Sequence, residues 1–158
     1  VIADRRPLTI VSSDLRRAYF TAVAVGDAAG LPVLTDTRLR ETHLGEWQGL
    51  THHDVDERTP GVRSAWRADA TLAPPGGESL KDTVARVLPY YVAEILPRVM
   101  RGERVLVAAH GNSLRALAMV LDRLDETTIP TLELKTGVPL VYRLNADTTV
   151  ASREVLDA

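Results

Sequence analysis

Residues 105–117, VLVAAHGNSLRAL, constrain the fold more than any other stretch of this chain. An apolar run from Val105 to Ala109 stops at His110. Gly111 and Asn112 follow, and Leu114, Leu117, Ala118 and Leu121 then recur at helical spacing. A short apolar run read against a 3.6-residue period predicts a buried strand over 104–109, a tight turn and a helix over 113–124. Such a helix start offers free N–H groups and the positive end of its dipole, a ready anion site. His110 sets a titratable donor beside it. The segment suits a phosphate site and an αβ unit whose turn happens to hold a histidine equally well.

The rest of the chain alternates in the same manner. Leu8–Ser12 reads as a buried strand, and Asp14 can cap a helix over 15–29 whose inner face carries Leu15, Ala18, Tyr19, Ala22 and Val23, closed by Gly30. Pro32–Leu34 is a short strand, and 36–50 is a polar, ordered loop. Thr51 with Asp54 forms a capping box, with a short helix after it and another over 62–70. Pro74-Pro75-Gly76-Gly77 is an emphatic break, and Pro74–Glu78 a candidate lid hinge. The longest helix runs from Ser79 to Met100, with Val84, Val87, Leu88, Tyr91, Ile95 and Val99 facing inward and Pro89 and Pro97 kinking or shortening it. Val138–Leu144 and Thr149–Val155 close the chain as a hairpin around Asn145-Ala146-Asp147. This alternation predicts one α/β domain over 1–158, a three-layer α/β/α sandwich on a mainly parallel sheet.

Composition narrows the function. The 158 residues are 45% hydrophobic, enough for one core, and no run approaches the roughly 18 apolar residues of a membrane span. The absence of cysteine excludes disulfides and thiolate metal sites and makes a cytoplasmic enzyme the expectation. A net charge of −2 gives no basic field for nucleic acid. Only Lys81 and Lys135 are lysines among the 19 basic residues, and arginine is the better fork for phosphate or carboxylate.

Four constellations could carry chemistry. Ser12-Ser13-Asp14-Leu15-Arg16-Arg17 places arginines in a first helical turn, where they oppose the dipole unless they hold an anion. Solvated arginines are the simpler reading of that segment alone. Arg40-Glu41-Thr42-His43-Leu44-Gly45-Glu46-Trp47 gathers acid, imidazole and indole in a loop, where a buried carboxylate could serve as general acid; a packed loop anchored by Trp47 is the alternative. Trp66-Arg67 adds a guanidinium. His110 is the fourth. The other histidines, His43, His52 and His53, show no metal-ligand spacing, and Arg115 stands where a serine nucleophile elbow wants glycine.

Taken in order, Ser13–Ala18, Arg40–Leu50, Gly76–Ser79 and Ala109–Arg115 resemble the motifs of the histidine phosphatase superfamily, and more narrowly its phosphoglycerate mutase branch. Residues 80–158 are most similar to the 2,3-bisphosphoglycerate-dependent mutases. Residues 8–79 look more like the phosphatase relatives, especially glucosyl-3-phosphoglycerate phosphatase. The resemblance implies phosphoryl transfer through a phosphohistidine without a metal: the glycolytic interconversion of 2- and 3-phosphoglycerate, or hydrolysis of a related phosphomonoester. It implies Glu41 as proton donor or acceptor and His110 as stabiliser of the transferring group. Arg17, Thr42, His43, Leu44, His52, Arg67, Gly111 and Asn112 become substrate or phosphate contacts. 2,3-Bisphosphoglycerate would be the donor for a mutase, and the partner a small phosphorylated metabolite. A homo-oligomer is compatible with this reading; nucleic acid and membrane are not expected.

The departures matter as much. The family's nucleophilic histidine stands in an Arg-His-Gly motif, which this chain lacks, and the first strand here matches the family's second. The expectation is therefore a domain without the family's first strand and helix: a chain that does not turn over alone, with a noncatalytic phosphate-binding fragment as the alternative reading. Leu44 and His52 stand where the mutases carry tyrosine and lysine, Trp66-Arg67 keeps one of two arginines, and Leu72–Pro75 replaces a longer insertion. A shorter, less basic segment favours water as acceptor.

Overall fold

The structure is a computed structural model, and it describes residues 9–156. Leu8, where the opening strand was expected to begin, and the outermost residues of the 1–158 domain lie outside that range. Three parallel strands form the centre: β1 (Thr9–Ser12), β2 (Val33–Thr35) and β3 (Val105–Ala108), in the order β2-β1-β3. The register pairs Ser12 with Thr35 on one side and with Ala108 on the other. All three strands therefore end at the same edge, where ligands bind in open parallel sheets. β4 (Leu140–Leu144) and β5 (Val150–Val155) form the expected hairpin, but as a separate antiparallel ribbon.

β3 departs from the expected buried strand. Each of its residues is only half-buried, because among the described residues it has a neighbour on one edge alone.

Helices cover the sheet. α1 (Arg16–Ala29) buries Ala18, Ala22 and Gly26 and ends at Gly30 in the left-handed region, φ 67°. Gly26 is required there, since a Cβ would lie 2.7 Å from the Leu31 carbonyl. Two expectations for α1 fail. Tyr19 lies on the exposed side with Phe20, and Leu15 occupies the N-cap position without a side-chain cap. Asp14 cannot cap because Arg40 takes its carboxylate. The 36–50 loop contains short 3₁₀ turns at Thr37–Leu39 and Gly45–Trp47; α2 (His52–Arg58) and α3 (Val62–Ala68) follow it. Thr51 and Asp54 form the expected box on α2.

The long helix is α4 (Leu80–Tyr90), a π turn over Tyr91–Ile95 and α5 (Leu96–Met100). Pro89 and Pro97 lack the N–H that a regular helix needs, and the π turn absorbs the mismatch between them. Val87, Tyr90, Tyr91 and Ile95 pack with Val11, Leu39, Ala116 and Leu117 into the core, with Val84, Leu88 and Val99 at its margin. Ser79, buried, caps α4 in a reciprocal box with Asp82. Ser79→Ala is expected to cost about 1 kcal/mol in urea unfolding, the usual worth of such a cap. α6 (Gly111–Leu121) begins two residues earlier than its periodicity predicts, so Gly111 and Asn112 form its first turn. Among the described residues, no helix is long and apolar enough to cross a membrane.

Candidate active site

The strand register assembles the site. Because Ser12 pairs with Ala108, the chain leaves β1 at Ser13 and β3 at His110 side by side. His110 is the extended N-cap residue of α6, with its ring buried and Nε2 2.6 Å from Ser13 Oγ. Its backbone is fixed by buried Ser113, whose hydroxyl accepts the His110 N–H at 3.0 Å and donates to the His110 carbonyl at 3.1 Å.

Glu41 reaches the same helix start. Its Oε1 accepts the N–H of Asn112 at 3.1 Å and of Thr42 at 2.9 Å. A Cβ on Gly111 would lie 3.6 Å from its Oε2. The donor that the resemblance assigns to phosphate is thus already holding a carboxylate, which suits the positive helix end.

Arg86, unremarked in the sequence, fixes the segment that carries Glu41. Its guanidinium donates to the carbonyls of Arg38 (2.6 Å), Arg40 (2.9 Å) and Glu41 (3.0 Å), and to both oxygens of Glu78 at 3.0 Å each. Glu78 in turn accepts the His43 N–H at 2.9 Å and gives its own N–H to the His43 carbonyl at 2.8 Å. The sequence signal was available: Arg86 follows Thr83 by three residues and precedes Tyr90 by four, beside the apolar stripe of α4.

Charge pairing then decides which arginines remain available. Asp14 is taken by Arg40, Asp36 by Arg38, Asp56 by Arg63 and Glu78 by Arg86. Arg17, in the first turn of α1, makes no ion pair or side-chain hydrogen bond among the described residues. It is close enough to push the His110 pKa down, second only to burial, while Glu41 and Asp14 pull it back. A buried imidazole, a guanidinium without an ion-pair partner among the described residues and a carboxylate at a helix start therefore share one edge.

Arg67 and Arg115 line an adjoining cavity of about 110 Å³ with Trp66, Asp69, Asn112 and Pro130. Arg115 donates to the Leu132 carbonyl (2.9 Å) and Asn112 Oδ1 (3.0 Å); burial first, then Arg67, lowers its pKa.

The remaining expected contacts are placed as follows. The Thr42 hydroxyl is buried against Thr83 at 2.8 Å. His43 is exposed, its Nδ1 accepting the Gly45 N–H. Leu44 is half-buried, and its N–H donates to Gln48 Oε1. His52 is exposed on α2. The break at 74–77 is not a free hinge: Glu46 N–H donates to the Pro75 carbonyl at 2.9 Å, and a Cβ on Gly77 would lie 2.6 Å from the His43 carbonyl. Trp47 is the expected anchor, buried and edge-on to Trp66 at 5.7 Å.

Comparison with known proteins shows the family and the fold. The model of the histidine phosphatase superfamily (branch 1) matches residues 1–153. A 2,3-bisphosphoglycerate-dependent phosphoglycerate mutase of Methylobacterium sp. (strain 4-46) is 60% identical over 150 residues, covering 92% of this chain and 72% of that protein. The mycobacterial glucosyl-3-phosphoglycerate phosphatase in complex with VO3 superposes with a TM-score of 0.83 at 43% identity, covering 98% of this chain and 77% of that one. YhfR of Bacillus stearothermophilus gives 0.81 at 28% identity, covering 94% and 75%. The α/β fold on its parallel sheet and the motifs at its C-terminal edge have one source: the chain belongs to branch 1 of the histidine phosphatase superfamily.

Proposed function

We propose that the edge between β1 and β3 binds the phosphoryl group of a phosphoglycerate moiety and serves its transfer. The Arg17 guanidinium, beside His110 and without an ion-pair partner among the described residues, carries this reading. Phosphoryl transfer needs positioned charge more than covalent chemistry from many residues. Arg17 would neutralise the equatorial oxygens and His110 would donate to them. Glu41, held on the first turn of α6, would give a proton to the leaving oxygen or take one from the acceptor. Arg67 and Arg115 would meet a second anionic group of the substrate.

The leading reaction is interconversion of 2- and 3-phosphoglycerate through a phosphohistidine in the cytoplasm, primed by 2,3-bisphosphoglycerate; the mutase relatives support it. Hydrolysis is the second reading. The short 72–75 segment favours it by leaving the site less enclosed, and so does the likeness to a glucosyl-3-phosphoglycerate phosphatase. In a chain extended to carry an Arg-His-Gly strand, labelling with ³²P from 2,3-bisphosphoglycerate separates the two, since a mutase passes the label to a hydroxyl oxygen of a phosphoglycerate and a phosphatase passes it to water.

None of the four histidines stands in an Arg-His-Gly motif, so the 158-residue chain is proposed to bind phosphate without turnover. Titration with inorganic phosphate, followed by amide shifts at residues 110–113, should saturate in the wild type and be lost in Arg17→Ala. Phosphate release or isomerisation by this chain at the rate of a full-length relative refutes the inactivity. In a chain extended to carry an Arg-His-Gly strand, His110→Ala and Arg17→Ala should each slow the reaction about a hundredfold. Unchanged rates would remove both assignments.

A further inference from the structure

We propose that Arg115 is a positioning residue: it turns the Asn112 carboxamide so that Asn112 offers N–H donors alone to the adjoining cavity. This rests on the reading of that cavity as the seat of the substrate's second anionic group, here the carboxylate of a phosphoglycerate.

Elementary chemistry fixes the orientation. Asn112 and Arg115 stand three residues apart on α6 and so share a face. A guanidinium has five N–H donors and no acceptor, so the Asn112 atom that meets Arg115 Nη1 at 3.0 Å can only be the carboxamide oxygen. The Nδ2 hydrogens therefore point the other way. Nδ2 has no hydrogen-bond partner among the described residues, yet it is not enclosed in the interior. Because Asn112 lines the cavity, this nitrogen is a donor open to a guest.

Arg115 is itself anchored. Its Nε donates at 2.9 Å to the carbonyl of Leu132, which follows the 3₁₀ turn Ile129–Thr131, and Ile129 is buried. Two bonds thus hold the guanidinium plane, and Nη2 makes none among the described residues. Arg67, on the same wall, has neither ion pair nor side-chain hydrogen bond there, and its charge bears on Arg115. Asp69, the acid on the wall, has Oδ1 occupied by the Thr71 N–H at 2.8 Å and hydroxyl at 2.7 Å. An asparagine left to itself can donate or accept. With Oδ1 taken it can only donate, so Arg67, Arg115 and Asn112 present one polarity. A carboxylate accepts on both oxygens and suits such a set, whereas a hydroxyl brings a proton that none of the three can take.

Asn112 and Asn145 are the only asparagines, so the Asn112 side-chain amide can be followed in ¹H–¹⁵N spectra of the 158-residue chain. Asn145, which donates to Thr149 Oγ1 at 2.9 Å, is the reference. 3-Phosphoglycerate should shift the Asn112 Nδ2 signals and leave those of Asn145 still. Glycerol 3-phosphate, with a hydroxyl in place of the carboxylate, should shift neither. Arg115→Lys keeps the charge, but an ammonium cannot hold the Leu132 carbonyl and Asn112 Oδ1 together in a fixed plane. It should lose the shift and weaken 3-phosphoglycerate about tenfold, and inorganic phosphate less. Asn112→Ala should cost a similar factor, and the double variant no more, since both changes remove the same donor. Wild-type affinity in Arg115→Lys, or losses that multiply in the double variant, would overturn the proposal. So would Asn112 signals in the wild type that 3-phosphoglycerate leaves unmoved, a test that needs no variant to fold. If inorganic phosphate does not bind but glycerate, which has the carboxylate alone, shifts Asn112, the phosphate-edge reading sinks and the role of Arg115 stands.

Discussion

Gly45→Ala is expected to destabilise the chain by about 3 kcal/mol or more, a drop in melting temperature of roughly 6–12 °C. Two independent costs meet at this residue. Its φ of 54° lies in the left-handed region, where a Cβ adds strain of about 1–2 kcal/mol. The added Cβ would also fall 2.0 Å from the Pro75 carbonyl oxygen and 2.5 Å from the Gly77 nitrogen, and backbone cannot swing aside as a side chain can. Residues 43–48 and 74–78 must therefore separate, which breaks the bond from Glu46 N–H to the Pro75 carbonyl and the bonds between His43 and Glu78. Gly49 is the control: its φ of 80° is strained in the same sense, but nothing lies within 4 Å of its Cβ position. Gly49→Ala should cost only about 1–2 kcal/mol. Melts of the two variants that coincide would show that the close approach at Gly45 does not matter.

The same contrast shows what the sequence could and could not disclose. Local rules were sufficient wherever a residue's partner lies within a turn of it. Gly30 ends α1, Thr51 and Asp54 box the start of α2, and Ser79 starts α4, each by contacts three or four residues away. The strand before His110 and the helix after it were legible for the same reason. Rules of that kind misplace Asp14, because its carboxylate is claimed by Arg40, 26 residues on, and a bidentate guanidinium outcompetes a cap. They also make the 74–77 break look like a hinge, since proline and glycine signal a turn but not what the turn docks against.

At the site, motif resemblance singled out Glu41, His110 and Arg17, and the fold brings them to one edge. The roles of Ser13 and Arg86 were not legible. Ser13 lies within a recognised motif, but its partner is set by strand register, and those of Arg86 by packing of α4 on the 36–44 loop; a single sequence contains neither. Ser113 bonds to His110 three residues before it, a local contact that the reading of the sequence passed over. Thr42 shows the converse: it sits inside the recognised motif, yet its hydroxyl is spent on Thr83 in the interior.

Arg86→Met should be comparably damaging, again with the apolar core left intact. The methionine keeps an unbranched stem of similar reach but removes every donor. Three carbonyls, those of Arg38, Arg40 and Glu41, lose a partner at once, and Glu78 keeps only the His43 N–H. Partial solvent access to the Arg86–Glu78 pair tempers the loss, so the expected cost at pH 7 is about 2–4 kcal/mol. Arg86→Lys should recover little of it, because an ammonium cannot serve a fork of carbonyls and both carboxylate oxygens together. The functional effect is larger than the stability effect: with the Glu41 backbone released, its carboxylate loses its fixed place on the first turn of α6. Phosphate-induced shifts at residues 110–113 should then weaken although no phosphate contact was altered. The pH dependence carries a definite sign. Burial alone would raise the Glu78 pKa, but Arg86 and the His43 N–H hold it below the usual carboxylate value. The wild type thus has this contribution in full above the unfolded carboxylate range and loses it as the pH falls through the lower folded value. In Arg86→Met burial is left largely unopposed, the folded pKa rises, and acid protonates the folded state more readily than the unfolded one. The gap in melting temperature between wild type and variant should therefore narrow from pH 7 to pH 4, and a gap that widens on acidification would remove Glu78 from the account.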